Sequence, residues 1–169
     1  SKAVPEIIRE NGGEPVRTRV GHSFIKAKMA ETNAVFGGEH SAHYYFRDFW
    51  RADSGMLAAM HVLAALGQQD KPLSEMMAKY NRYAASGEIN SRLDSAEAQA
   101  DRTEAVVKAF ADRAENVDRL DGVTVELKDG NWFNVRASNT EPLLRLNVEA
   151  DTQEAVDALV KEILAIIRA

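Results

Sequence analysis

The pattern of apolar and polar positions changes character about halfway along the 169-residue chain. In the first half, strand-like and helix-like stretches alternate. Val4 to Glu10 reads as a helix with Pro5 in its first turn, where a missing N–H costs nothing, and Asn11-Gly12-Gly13 ends it. Glu14 to Arg19 alternates enough to predict a short strand. His22 to Thr32 carries Phe24, Ile25 and Met29 at helical spacing, with Ser23 near its start. An apolar strand around Ala34 to Phe36 runs into Gly37-Gly38, and Tyr44 to Phe49 predicts another. Asp53 to Leu66 predicts a helix rich in Ala, Leu and Met. Gly67 to Asp70 breaks it, and Pro72 opens a short helix, Leu73 to Tyr80. Strands alternating with helices predict an α/β layer over residues 1–80.

The character shifts around Asn81 to Gly87, which marks a domain boundary and a linker able to let the second domain, residues 81–169, rotate. Glu88 to Asp94 predicts a strand, and Ser95 to Glu115 a long helix through Ala98, Val106, Val107, Phe110 and Ala114. Three strands follow: Gly122 to Leu127, Trp132 to Ala137 and Leu143 to Ala150. Asp129-Gly130 is a hairpin signal between the first two. Asp151-Thr152 caps a terminal helix whose apolar face is Val156, Leu159, Val160, Ile163, Ile166 and Ile167. The order β-α-β-β-β-α gives a small antiparallel sheet with two helices. The fold class is therefore α/β plus α+β, with no internal repeat.

Composition narrows the function. A hydrophobic content of 45% with 28% charged residues is that of a globular chain, not a disordered one. The net charge of −5 argues against nucleic-acid or membrane binding through a basic surface, yet leaves room for a local basic pocket. There are no cysteines, so no disulfide or thiolate metal site contributes, which fits a reducing cytoplasm. No apolar run reaches the roughly 20 residues of a membrane span, and no signal peptide opens the chain. The opening Ser1-Lys2-Ala3-Val4-Pro5 lacks an initiator methionine and enters a helical pattern almost at once, which suits a piece of a longer protein.

Three polar clusters carry candidate chemistry. In Arg136-Ala-Ser-Asn-Thr-Glu-Pro142, followed by Arg145, two guanidiniums flank hydroxyl and amide donors around a turn. Bidentate arginine contacts and short neutral donors suit a phosphate dianion, and a turn through Asn139 would present peptide N–H groups in a concave nest. An ordinary polar hairpin loop is the alternative. Gly37-Gly-Glu-His-Ser-Ala-His43 presents a carboxylate, a hydroxyl and two imidazoles after a flexible glycine pair, which suits binding of a polyol. Glu39, His40 and His43 also have metal-ligand chemistry, but without the helical His-Glu-x-x-His spacing. Ser41 with a histidine lacks a nucleophile elbow. A plain polar loop stays open as well. Arg17-Thr-Arg-Val-Gly-His22 precedes a helix, where an anion is favoured, although a lone histidine there is more often a cap or surface residue. Trp50, Met56, Met60, Met76 and Met77 read as core or interdomain packing. Arg47, Asp48, Arg51 and Asp53 read as a solvated charged edge, and Trp132 and Phe133 as core of the second domain.

Taken in order, these motifs resemble the α-D-phosphohexomutase family, in its phosphomannomutase/phosphoglucomutase branch. The resemblance covers nearly the whole chain and rests on Arg19-Val-Gly-His-Ser-Phe-Ile-Lys26, Gly38-Glu-His-Ser-Ala-His43, Glu88-Ile-Asn90 and Arg136-Ala-Ser-Asn-Thr-Glu-Pro142. It implies most of the third of four domains, residues 1–80, followed by the fourth, residues 81–169. It implies that Glu39, Ser41 and His43 belong to a loop reading sugar hydroxyls, and that His22 lies near the substrate and assists proton transfer. It implies that Arg136, Ser138, Asn139 and Thr140, with Arg145, grip the phosphate that is not being transferred. Ala42 departs from the glycine frequent in the phosphomannomutase loop.

The resemblance also implies an isomerase that moves a phosphoryl group through a bisphosphorylated hexose. Its phosphoserine loop and Asp-rich magnesium loop belong to domains one and two, and no Asp-x-Asp-Gly-Asp pattern occurs here. Mg2+ and glucose or mannose 1,6-bisphosphate are thus expected for the full-length parent, with no metal held by this fragment and no turnover by it alone. Hexose phosphate and the missing domains are the implied partners. A phosphoglucosamine mutase shares both loops in similar form. From another class, the β-α-β-β-β-α sheet suits an anion- or RNA-binding module, against which stand the acidic balance and the lack of an aromatic pair at strand spacing.

Overall fold

The structure, a computed structural model, describes residues 1–138 and 141–169. Two compact units divide them: residues 14–80 form one, and residues 1–13 join residues 81–169 in the other. The first helix, α1 (Ala3–Glu10), therefore packs with the C-terminal half. Arg82 pairs with Glu6 at 3.3 Å and with Glu10, and the Tyr83 hydroxyl donates to Glu6 at 2.7 Å. Asn11 ends the helix, and Gly13 N–H closes it onto the Ile8 carbonyl.

In the unit of residues 14–80, α2 (His22–Thr32) lies over a three-stranded antiparallel sheet in the order β1 (Phe36–Gly38), β2 (Tyr44–Phe46), β3 (Ala52–Asp53). Tyr45 is fully buried against Ile25 and Met29 of that helix. Gly37 is opposite Tyr45, and a Cβ there would come within 3.1 Å of Met29 Sδ and 3.2 Å of Ile25 Cγ2, so both helix side chains would have to shift by a few tenths of an ångström. The opposite face presents Phe36, Tyr44 and Phe46 towards α3 (Gly55–Gly67), with Phe46 stacked on His61 at 5.4 Å. Ser54 caps α3 by accepting from Leu57 N–H. A short α4 (Leu73–Ala78) follows.

The second unit is built on a six-stranded antiparallel sheet. Along its path lie β4 (Ala84–Ala85), β9 (Leu143–Ala150), β8 (Trp132–Ala137), β7 (Val123–Leu127) and β6 (Ala114–Asp118), and β5 (Ile89–Arg92) also pairs with β9. One face is apolar: Val123, Val125, Phe133, Val135, Leu144, Leu146 and Val148 are buried beneath α5 (Ala96–Phe110) and α6 (Gln153–Ile167). Ser95 and Thr152 cap those helices by accepting from Ala98 and Ala155 N–H, and Val156, Leu159, Ile163 and Ile167 form the buried stripe of α6. Strand alternation places Trp132, Asn134, Arg136, Arg145 and Asn147 on the other, polar face.

Several expectations need correction. Residues 14–19 form no strand, since their alternating stretch finds no ladder partner among the described residues. The helix α2 has the expected bounds, with Gly21, at φ +126°, at its N-cap. The long helix stops at Phe110, and Ala114–Asp118 pairs with β7 as a mostly exposed edge strand, bulged between Ala114 and Asn116. Trp132 lies opposite Glu149 on the polar face and donates to it at 2.9 Å, while Phe133 alone of that pair enters the core. Burial pushes the Glu149 carboxyl up, but donors from Ser1, Trp132 and Lys2 N–H outweigh it and hold the group below the usual carboxylate range. Trp50 is 80% exposed and Met56 77%, so neither forms part of the unit's core.

Candidate functional site

The turn between β1 and β2 is closed by Glu39 N–H donating to the His43 carbonyl at 2.9 Å and Ala42 N–H to the Glu39 carbonyl at 3.1 Å. Ala42 lies at φ +65°, a conformation that favours glycine. The antiparallel pairing of β2 with β3 brings Asp53 beside this turn. Its carboxylate takes His43 Nδ1 at 2.6 Å and Tyr44 N–H at 2.8 Å. The Asp53 hydrogen bond pushes the His43 imidazole above its ordinary value, with burial opposing, while the same bond and the Tyr44 N–H hold Asp53 below the usual carboxylate range. His43 is thus held by one ring nitrogen, leaving Nε2 for a ligand or a proton.

His22, at the start of α2, stands edge-on to His43 with ring centroids 4.8 Å apart, and 5.4 Å from the Tyr45 ring. Tyr45 donates its hydroxyl to Glu39 at 2.5 Å; burial first, then the Glu39 carboxylate, push that phenol far up. Glu39 is therefore fixed from beneath by a buried side chain. Ser41 is exposed on the turn. The cluster offers a carboxylate acceptor, a hydroxyl and an anchored imidazole, a set that can bind hydroxyls and shuttle one proton.

In the other unit, β8 and β9 place Arg136 and Arg145 directly opposite each other. Asn90 on β5 is also in register with Arg145. Arg145 Nη2 reaches the Ser138 hydroxyl at 3.4 Å, and Ser138 N–H donates to the Leu143 carbonyl at 2.8 Å, closing the end of the hairpin. Glu141 N–H donates to the Ser138 hydroxyl at 3.3 Å. Glu88 lies 3.5 Å from Arg145, and Asp121 lies 3.9 Å from Arg136. Opposed like charges are unfavourable in a sheet, and an anion between them relieves that repulsion.

The structure thus brings His22, Glu39 and His43 together, with Ser41 on the same turn, and Arg136, Ser138 and Arg145 together at one hairpin end. Asn139 and Thr140 lie outside the described residues. Asp53 does not belong to a solvated edge, because β2–β3 pairing turns it onto His43; only Arg47 and Asp48 form an exposed pair there, at 2.9 Å. Nothing in the spacing separates Asp53 from its charged neighbours, so the sequence carried no signal for it. Tyr45 as the anchor of Glu39, and Asp121 beside Arg136, are likewise contacts of tertiary structure. Among the described residues, no group of three or more His, Cys, Asp or Glu side chains could hold a metal ion, and no helix is long and apolar enough to cross a membrane.

Known family models divide the chain near residue 83, so that α1, which packs with residues 81–169 in the structure, falls within the first matched domain. Residues 1–83 match the family model "Phosphoglucomutase/phosphomannomutase, alpha/beta/alpha domain III", and residues 88–166 match the C-terminal domain of the same family. The chain is 42% identical over 167 residues to a phosphomannomutase of Methanocaldococcus jannaschii, covering 99% of this chain and 36% of that protein. It is 40% identical over 166 residues to a phosphomannomutase of Escherichia coli, covering 96% and 35%. A crystal structure of a phosphoglucomutase/phosphomannomutase family protein from Burkholderia thailandensis superimposes with a TM-score of 0.77 at 28% identity, over 98% of this chain and 35% of that one. The chain therefore spans about a third of the length of the relatives it matches.

Proposed function

The chain belongs to the phosphoglucomutase/phosphomannomutase family, and from that membership we propose that it is the sugar- and phosphate-reading part of a cytoplasmic phosphohexomutase. The enzyme would interconvert hexose 6-phosphate and hexose 1-phosphate through a bisphosphorylated sugar. The observation that carries this reading is the directly opposed pair Arg136 and Arg145, with the Ser138 hydroxyl beside it. Two guanidiniums side by side, with only long contacts to the Glu88 and Asp121 carboxylates, suit a dianion.

In this reading, Arg136, Ser138 and Arg145 hold the phosphate that is not being transferred, together with Asn139 and Thr140. Glu39 and Ser41 bind sugar hydroxyls. His43, tethered at Nδ1 by Asp53, takes or gives a proton at Nε2, with His22 beside it. Their contribution is orientation and charge, which account for most of the gain in phosphoryl transfer.

The residues present do not fit the magnesium ion that the family implies. Magnesium asks for several oxygen donors in an octahedron. Asp53 is engaged by His43 and Tyr44 N–H, and Glu39 by the Tyr45 hydroxyl. The metal, the phosphoserine and the bisphosphorylated sugar's reaction centre would then belong to other domains of a longer polypeptide, and this chain alone would not turn over substrate. The apolar helix α3, which has no buried residue, supports a longer parent, since a helix apolar all round is normally buried.

Coupled assays of a full-length protein containing this chain, with mannose, glucose and glucosamine 1-phosphates, test the activity. Interconversion of the mannose or glucose phosphate is expected. Turnover of glucosamine phosphate alone would shift the assignment to a phosphoglucosamine mutase, and turnover of none would overturn it.

A further inference from the structure

Four charged side chains lie in a row across four neighbouring strands at one end of the larger sheet. Glu88 immediately precedes β5, Arg145 is on β9, Arg136 is on β8, and Asp121 lies two residues before β7, in the spatial order of those strands. The signs run negative, positive, positive, negative. Glu88 Oε2 is 3.5 Å from Arg145 Nη1, and Asp121 Oδ2 is 3.9 Å from Arg136 Nη1. The second contact depends on Gly122, at φ +65°, where a Cβ would come within 2.5 Å of the Val135 carbonyl oxygen and 2.8 Å of Arg136 Cβ. A glycine is therefore required to bring the segment carrying Asp121 this close to Arg136.

Neither contact is a tight ion pair. Good guanidinium–carboxylate hydrogen bonds are about 2.7–2.9 Å long. Arg145 Nε, moreover, is buried without a hydrogen-bond partner among the described residues. The two guanidiniums are neutralised but not saturated.

We propose that Glu88 and Asp121 are built-in counterions that compete with the bound phosphate and set how readily the arginine pair releases it. This rests on the phosphate-holding role proposed above. A mutase working through a bisphosphorylated sugar must let go of one phosphate so that the other can take its place. A grip of two bare arginines would hold the dianion too well, and release would strand two partly buried cations. With a carboxylate beside each, a departing phosphate is replaced by a charge already in position, so no guanidinium is left unpaired. Each carboxylate also repels the bound dianion and weakens the complex.

The test is titration of the 169-residue chain with inorganic phosphate and with mannose 1-phosphate, followed by NMR, for the unaltered chain, Glu88→Gln and Asp121→Asn. Each substitution keeps the shape and removes one repelling charge, so each should tighten binding by about 3- to 10-fold and steepen its dependence on salt. The two carboxylates touch different arginines, so each variant is a separate trial. Affinity that is unchanged or weaker in both overturns the proposal. A measurement that needs no variant stands beside these: the side-chain carboxyl 13C signals of Glu88 and Asp121 should move as phosphate saturates the unaltered chain. Signals that stay fixed while phosphate binds overturn the proposal alone. An unaltered chain that binds neither ligand overturns it together with the phosphate-holding reading.

Discussion

Arg136 and Arg145 are direct cross-strand partners on β8 and β9, so two guanidiniums leave the sheet on the same face. Like charges in that relationship oppose folding, and the Asp121 carboxylate 3.9 Å from Arg136 offsets part of that. Arg136→Ala should therefore leave the unfolding free energy within about 1 kcal/mol of the unaltered chain. The same change should weaken phosphate binding, and raise KM in a full-length parent, by about 10- to 100-fold through loss of a charge-assisted pair. Urea unfolding and phosphate titration of one variant check both halves. An unchanged KM would remove Arg136 from the site.

Asp53 should govern the titration of His43. The His43 imidazole is raised by its hydrogen bond to Asp53, and Asp53 is lowered by the same bond. A raised histidine stabilises the fold fully below its unfolded value, near 6.5, and loses that contribution as pH rises through its folded value. A lowered aspartate contributes above its unfolded value, near 3.9, and loses it as pH falls through its folded value. The pair is thus complete between the depressed aspartate value and the raised histidine value. In Asp53→Asn the His43 midpoint should fall towards the ordinary histidine range, read from its Cε1 proton; an unmoved midpoint would contradict the coupling.

Gly122→Ala should be among the most damaging single substitutions in the larger unit. It combines a left-handed backbone with a Cβ placed 2.5 Å from the Val135 carbonyl oxygen. The loss should be about 1–3 kcal/mol or more in chemical unfolding, and the Asp121–Arg136 contact should go with it.

Ala42→Gly should act in the opposite direction. Ala42 holds φ +65° in the turn that carries Glu39 and His43. The left-handed penalty for alanine is about 1–2 kcal/mol, and the added chain entropy of glycine returns about 0.5–1 kcal/mol of that. A net gain of up to about 1.5 kcal/mol is expected in thermal unfolding, with the Glu39–Tyr45 contact retained.

What could be read in the sequence depended on how each feature is encoded. The strands β8 and β9 and the cap and stripe of α6 were legible, because each buries one face and so imprints a period on the residues, and α2 was legible from Ile25 and Met29, one turn apart and both buried. The edge strand β6 was not, since Ala114–Asp118 is mostly exposed and keeps no apolar alternation. Trp132 and Phe133 show the limit of composition: both are large aromatics, but adjacent strand residues point to opposite faces, and only Phe133 enters the core. Within the candidate site, residues clustered in one turn, such as Glu39 to His43, stood out. Asp53 and Asp121 did not, because strand pairing and a glycine-permitted close approach bring them in.

The most direct test of the account is titration of the 169-residue chain with mannose 1-phosphate, followed through assigned backbone amides and arginine side-chain signals. Weak binding is expected, since the proposed reaction centre lies outside this chain and preorganisation is lost. Saturable shifts at Arg136, Ser138 and Arg145 are the expected result. A spectrum that stays unchanged at the β8–β9 hairpin at high ligand concentration would contradict it.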